Sequence, residues 1–221
     1  MIRQSNPELA KQMLDHLTSQ YKILEVREPN HLSTFVSCLT KGFLDQKQAV
    51  DPTEEEIMLF VLGYGLQDVL TPKDATTPIY NRDGIVYRPD FFLPNINCKL
   101  NEIKTTRKSS KKHEEDIPET WLTYMMGGCF ITDETKYNLI VLYLMGGYSP
   151  PFPQAPLCDT FTFEIEELVD NWHNILHRKY ILDTALKENK LPTPFEYCYS
   201  WECKYCRYRM ICEAIGGKKD D

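Results

Sequence analysis

The sequence predicts a mixed α/β (α+β) fold, with a mixed central sheet flanked by helices, a helical N-terminal part and a cysteine-rich tail. Three observations predict it. Capped, helix-periodic segments fill roughly the first 72 residues. Short β-rich runs then begin near residue 78 and recur, with one helical stretch between them. Four of the eight cysteines crowd into residues 198–212, at the end of the chain. Helices, then strands around a helix, then a long helix is the order of an α/β or α+β domain.

Each element has its local reason. "NPELAKQMLDHLTSQY" begins with a capping Asn6 and reads as an amphipathic helix. "HLSTFVSCLTKGFLDQ" reads as a second helix, capped by Ser33 and carrying Cys38. "DPTEEEIMLFVLGYGLQDVL" has an N-terminal cap signal, then Glu54, Glu55 and Glu56 in the first turn, where negative charge suits the helix dipole. In "PIYNRDGIVYRPDFF" the pair Asp83-Gly84 divides two β-rich runs, a hairpin signal. "CKLNEIKTT" alternates as a strand. "EEDIPETWLTYMMGGCF" reads as a helix ended by its glycines, "KYNLIVLYLMGG" and "CDTFTFEI" as strands, and "EELVDNWHNILHRKYILDTALKEN" as a long helix. The proline-marked "LPTPF" separates that helix from the tail. The chain of 221 residues is expected to form one domain (1–221), with a helical part at 1–72, a core at 78–190 and a cysteine segment at 191–215.

Hydrophobic residues at 42% and charged residues at 26% suit a soluble globular protein with a buried core. No apolar run approaches the roughly 20 residues that span a bilayer, and the N-terminus lacks a signal-peptide pattern, so a cytoplasmic protein without membrane association is expected. The net charge of −7 excludes a generic basic nucleic-acid coat but not a local basic site. "KTTRKSSKK" supplies one, with Arg107, Lys108, Lys111 and Lys112 as candidate phosphate contacts. In a cytosolic chain, clustered cysteines point to metal or redox chemistry rather than disulfides.

The chemistry concentrates in "RPDFFLPNINCKLNEIKTT". Residues two apart on a strand share a face, so Glu102 and Lys104 project together. A hairpin or adjacent pairing brings Asp90 beside Glu102. Two carboxylates held together repel unless a cation sits between them. Hard ions such as Mg²⁺ and Mn²⁺ take such oxygen ligands, acidify a bound water and neutralise phosphate charge. Lys104 then orients the nucleophile or stabilises developing negative charge.

"CKYCRYRMIC" places Cys203, Cys206 and Cys212 in a C-x2-C-x5-C spacing. A four-thiolate site needs one more ligand, for which Cys198 is the nearest candidate and Cys38 the distant one. An all-cysteine set fits zinc or an iron–sulfur cluster. Tyr205 and Tyr208 are expected to pack around this site rather than to stack on bases.

Asp90, then eleven residues, then Glu102-Ile103-Lys104 reproduces the PD-(D/E)xK nuclease signature. With "SCLTKGFL" and "CKYCRYRMIC", the chain resembles the RecB-like nucleases that carry an iron–sulfur cluster, and most closely the CRISPR-adaptation-associated exonuclease family. The resemblance covers residues from about 30 to 213. It implies a restriction-endonuclease-like fold and a metal-dependent exonuclease that trims DNA ends, acting on single strands or termini, in CRISPR spacer processing or repair. It implies CRISPR-adaptation or repair proteins as partners beside DNA.

The resemblance further implies that Cys38 joins Cys203, Cys206 and Cys212 around a [4Fe–4S] cluster that staples the two ends of the chain. It assigns Asp90, Glu102 and the backbone carbonyl of Ile103 to a Mg²⁺ or Mn²⁺ ion, Lys104 to catalysis and Tyr124 to support of the site. Gln67 stands where the family has a metal-binding histidine, and Thr120 where it has a glutamine. Two alternatives accompany this expectation: a non-catalytic DNA- or protein-binding subunit with the same fold and cluster, and a zinc-stabilised interaction module.

Overall fold

The computed structural model describes residues 7–24, 29–94, 97–113, 117–192, 203 and 206–215. Four helices come first: α1 (Pro7–Leu24), α2 (Leu32–Val36), α3 (Leu39–Lys47) and α4 (Glu54–Leu70). A hairpin, β1 (Tyr80–Arg82) and β2 (Ile85–Tyr87), precedes a four-stranded sheet made of β3 (Phe91–Phe92), β4 (Leu100–Thr106), β5 (Lys136–Tyr143) and β6 (Leu157–Thr162). Helix α5 (Glu119–Thr132) connects β4 to β5, α6 (Ile165–Glu188) follows β6, and α7 (Arg209–Ala214) lies in the tail.

The sheet order is β3-β4-β5-β6, with β4 and β5 parallel and the other pairs antiparallel. A parallel pair needs a crossover, and α5 supplies it. This is the expected mixed sheet flanked by helices. The core is one cluster formed by α2, α3, α5, α6, the hairpin strand β2 and the four-stranded sheet, around the fully buried Phe35, Tyr87, Met125, Leu139 and Ile175. No helix among the described residues is long and apolar enough to cross a membrane.

Local chemistry explains the firmest elements. Thr53 caps α4 through a reciprocal pair: its hydroxyl accepts from Glu56 N, and the Glu56 carboxylate accepts from Thr53 N. Asp83 and Gly84 turn the β1–β2 hairpin with φ of 52° and 73°, the left-handed conformation that a two-residue turn of this hand requires.

Two expectations are corrected. The helix read across residues 31–46 is two helices, α2 capped by His31 rather than Ser33, and α3 with Cys38 as its N-cap. The break at Ser37 and Cys38 releases backbone carbonyls, and Arg178 of α6 takes them: its guanidinium donates to Phe35 O and, at 2.5 Å, to Ser37 O. Cys38 is thereby presented from a helix junction. The second correction concerns α5, which runs through Gly127 and Gly128 and ends at Asp133, in the left-handed conformation. Gly128 serves packing: a Cβ there would lie 2.7 Å from Cζ and Oη of Tyr87.

Candidate metal and nucleic-acid site

Strand pairing builds the centre of the site. β3 pairs with β4 so that Phe91 faces Asn101. Extending that register by one residue sets Asp90 opposite Glu102. Asp90 Oδ2 accepts from Ile103 N at 2.7 Å, which ties the carboxylate to the middle of β4. Helix α4 crosses here, and Gln67 Nε2 donates to Asp90 Oδ1 at 3.0 Å. Asp90, Glu102, Lys104, Gln67 and the Ile103 backbone, which the sequence singled out, thus converge.

Glu102 is only 4% exposed, an unusual setting for a carboxylate. Its Oε1 accepts from Lys104 Nζ, as the two-residue strand period requires. Its Oε2 accepts from the Tyr137 hydroxyl at 3.2 Å. Burial, and then the nearby Asp90 charge, push the Glu102 carboxyl up to about 7, against the opposing effects of Lys104 and Tyr137. Burial also raises Asp90, while Lys104, the Ile103 amide, Arg88 and Gln67 favour its charge. Two carboxylates that each resist ionisation, beside an amide side chain, form an oxygen-rich set matched to a hard divalent cation.

Lys104 also lies over the Tyr124 ring, its Nζ 5.6 Å from the ring centroid. The Tyr124 hydroxyl donates to Arg88 O at 3.3 Å, so Tyr124 spans the two arms of the site. Thr120, one helical turn earlier on α5, is buried. Arg107, Lys108, Lys111 and Lys112 are all exposed in the loop after β4, with Ser110–Lys112 in a short 3₁₀ turn.

Three contributors escaped the sequence reading. Arg88 is close enough to favour the charge on Asp90, and its place in "RPD" was the available signal. Tyr137, across the parallel β4–β5 pair, had no local signal. His113 anchors the basic loop: one ring nitrogen bonds Tyr143 Oη at 2.8 Å and the other Asp159 Oδ2 at 2.5 Å.

The cysteine region forms a second locality. The charges of Cys38, Cys206 and Cys203 all oppose ionisation of Cys212, whose thiol is pushed up to about 11, chiefly by burial. Cys38, at the α2–α3 junction, is thus within electrostatic reach of Cys206 and Cys212 of the tail. The tail is fastened to the N-terminal helices. The Tyr208 hydroxyl donates to Asp45 Oδ1 at 2.7 Å, and Arg207 pairs with Glu56 at 3.0 Å. Tyr208 is fully buried, in keeping with packing rather than base stacking. Cys198, Lys204 and Tyr205 lie outside the described residues. Among the described residues, none of the cysteines is disulfide-bonded, and no three His, Cys, Asp or Glu side chains are arranged to hold a single metal ion.

No family model matches this sequence, and no curated protein matches it. Among solved structures, the chain is similar to the crystal structure of SSO0001, with a TM-score of 0.55 and 18% identity over 94% of this chain and 97% of that one. Weaker likenesses are to an alkaline exonuclease (LHK-Exo) from Laribacter hongkongensis, with a TM-score of 0.46 and 9% identity over 72% and 90% of the two chains, and to a phage related exonuclease from Haemophilus somnus 129PT, with a TM-score of 0.40 and 14% identity over 82% and 84%. At these identities the likeness to SSO0001 speaks for the fold alone: a mixed sheet flanked by helices, shared over nearly the whole chain.

Proposed function

We propose that the protein is a divalent-metal-dependent nuclease that trims DNA ends, in CRISPR spacer processing or repair as the sequence resemblance implies. The observation that carries this reading is the convergence of Asp90, Glu102, Gln67 and Lys104 from three elements onto one point. Asp90, Glu102 and the Gln67 amide would hold Mg²⁺ or Mn²⁺, with the Ile103 carbonyl beside them. The bound ion would supply an acidified water and charge neutralisation at the scissile phosphate.

The chain's own groups do the rest. The Ile103 amide and Gln67 hold Asp90, and Tyr137 and Lys104 hold Glu102. Lys104 carries the positive charge nearest the carboxylates, part-exposed and steadied over Tyr124, where it orients the attacking water or meets charge developing on phosphate. The exposed Arg107, Lys108, Lys111 and Lys112 extend the same strand's end and suit the DNA backbone.

For the tail, we propose that Cys38, Cys203, Cys206 and Cys212 bind a [4Fe–4S] cluster. Cys38, from the α2–α3 junction, bears electrostatically on both Cys206 and Cys212 of the tail, and that supports it. The four thiols would supply the all-sulfur ligand set that such a cluster takes, and the cluster would join the start of α3 to the tail. A zinc-bound tail remains the alternative outcome of metal analysis.

A second reading has one observation in its favour. Gln67 and Lys104 already satisfy Asp90 and Glu102 by hydrogen bonds, as they would in a DNA-binding subunit without cleavage. Cleavage of 5′- and 3′-labelled single- and double-stranded DNA with Mn²⁺ separates the two. Asp90→Ala and Glu102→Ala should lose Mn²⁺ binding and activity, by at least about a thousandfold for a metal-assisted step. Lys104→Ala should bind Mn²⁺ but not cleave. A wild-type protein inert on every substrate would replace catalysis with the binding reading.

A further inference from the structure

We infer that Tyr137 is a positioning residue that fixes the Glu102 carboxylate for its cation, backed by Tyr87 and by a notch in α5 at Gly128. The inference rests on the reading of Asp90 and Glu102 as cation ligands, and extends it to residues that touch neither cation nor substrate.

The geometry is a buried line of hydroxyls. Tyr87 Oη and Tyr137 Oη are 2.6 Å apart, and Tyr137 Oη is 3.2 Å from Glu102 Oε2. Both tyrosines are fully buried. With a cation bound Glu102 is ionised and can only accept, so Tyr137 then gives its one proton to Glu102 and receives that of Tyr87. The line has one direction and ends on the metal-site carboxylate.

Packing alone does not account for it. Phenylalanine would fill either position without the cost of burying a hydroxyl. Nor does α5 merely tolerate the Tyr87 ring: the atoms closest to the missing Gly128 Cβ are Cζ and Oη, so the notch is cut for the hydroxyl end. Three elements, β2, α5 and β5, are shaped so that one donor reaches Glu102.

The two donors on Glu102 differ in kind. Lys104 is part-exposed, and an arriving cation competes with its ammonium for Oε1. Tyr137 has no route out of the core. It is the donor that persists and holds the carboxylate plane while the ammonium yields. Partners that orient a ligand in this way commonly govern affinity by about ten- to a hundredfold.

The test is direct Mn²⁺ binding to the full chain, read from the electron paramagnetic resonance signal of free Mn²⁺. It uses wild type, Asp90→Ala, Tyr137→Phe and Tyr87→Phe, with a thermal melt of each. Tyr137→Phe should weaken the Asp90-dependent site about tenfold and raise the half-saturating Mn²⁺ for cleavage equally, leaving the rate at saturation within about threefold. Tyr87→Phe should weaken binding about threefold, and it carries the test if Tyr137→Phe does not fold. Both phenylalanine variants binding Mn²⁺ as wild type does, with Asp90→Ala abolishing binding, would overturn this inference and leave the cation site standing. A lowered melting temperature with unchanged affinity would overturn it too. If wild type has no Asp90-dependent Mn²⁺ site, the functional reading itself falls.

Discussion

Gln67 donates to Asp90 across 3.0 Å, joining the last turn of α4 to the residue that precedes β3. An amide serves that position in two ways. As a donor it steadies the carboxylate, and turned over it offers an oxygen to a hard cation. It cannot offer the nitrogen ligand that the resembled family places there.

Gln67→His should therefore tighten Mn²⁺ binding by about tenfold and raise Mn²⁺-dependent cleavage, since imidazole is a good ligand for transition-metal ions. Mg²⁺, which prefers oxygen, should gain less. Isothermal titration of both ions checks it. Equal or weaker Mn²⁺ binding by the histidine variant would remove Gln67 from the ligand set.

Cys38 caps α3 without a side-chain hydrogen bond to the helix, a position at which serine is a preferred residue. Cys38→Ser should keep the fold and lose iron and acid-labile sulfide. Cys198→Ala should keep both. The two variants, purified without oxygen, differ visibly in colour if the cluster is present. Stoichiometric zinc in a colourless wild type would end the iron–sulfur assignment, and loss of iron from Cys198→Ala alone would make the site local to the tail.

The basic loop is fixed at its base and open at its tip. Ser110 N donates to Gly146 O at 2.9 Å, and His113 bonds both Tyr143 and Asp159. Its lysines face outward. Changing Lys108, Lys111 and Lys112 to Gln should weaken DNA binding and flatten its salt dependence, by roughly 0.7 to 0.9 in log–log slope for each phosphate no longer neutralised. An unchanged slope would make the run a solvated loop.

What could be read from the sequence follows the range of each interaction. The α4 cap and the Asp83-Gly84 turn are written in three or four adjacent residues, and both formed as their chemistry demands. Asp90, Glu102 and Lys104 were legible because a strand period and one strand pairing suffice to gather them. The helix break at Ser37 was not, because the group that stabilises it, Arg178, lies 141 residues away. Gly127 and Gly128 looked like a helix end because local propensity reads them so, whereas their real partners, Leu32 and Tyr87, come from other elements. Tyr137 was invisible for the same reason: only the parallel register reveals its reach to Glu102.

Glu102 also predicts how stability depends on pH. Burial and Asp90 raise its carboxyl from the ordinary 4.5 to about 7 in the fold. Between those values the unfolded chain has released the proton and the folded chain has kept it. Folding then binds a proton, so stability falls as pH rises. The contribution is complete below about 4.5 and is lost as pH passes through about 7, a loss on the order of a few kcal/mol. Metal-free wild type should thus melt at lower temperature at pH 8 than at pH 5.5. Glu102→Gln, which carries no proton to lose, should flatten that slope. Mn²⁺ should reverse it, because the cation binds the ionised pair and its affinity grows as Glu102 deprotonates. Melting curves across pH 5 to 8, with chelator and with Mn²⁺, read all three. A wild-type profile that matches Glu102→Gln in chelator would show that Glu102 is already ionised in the fold, with Lys104 and Tyr137 sufficient to hold its charge.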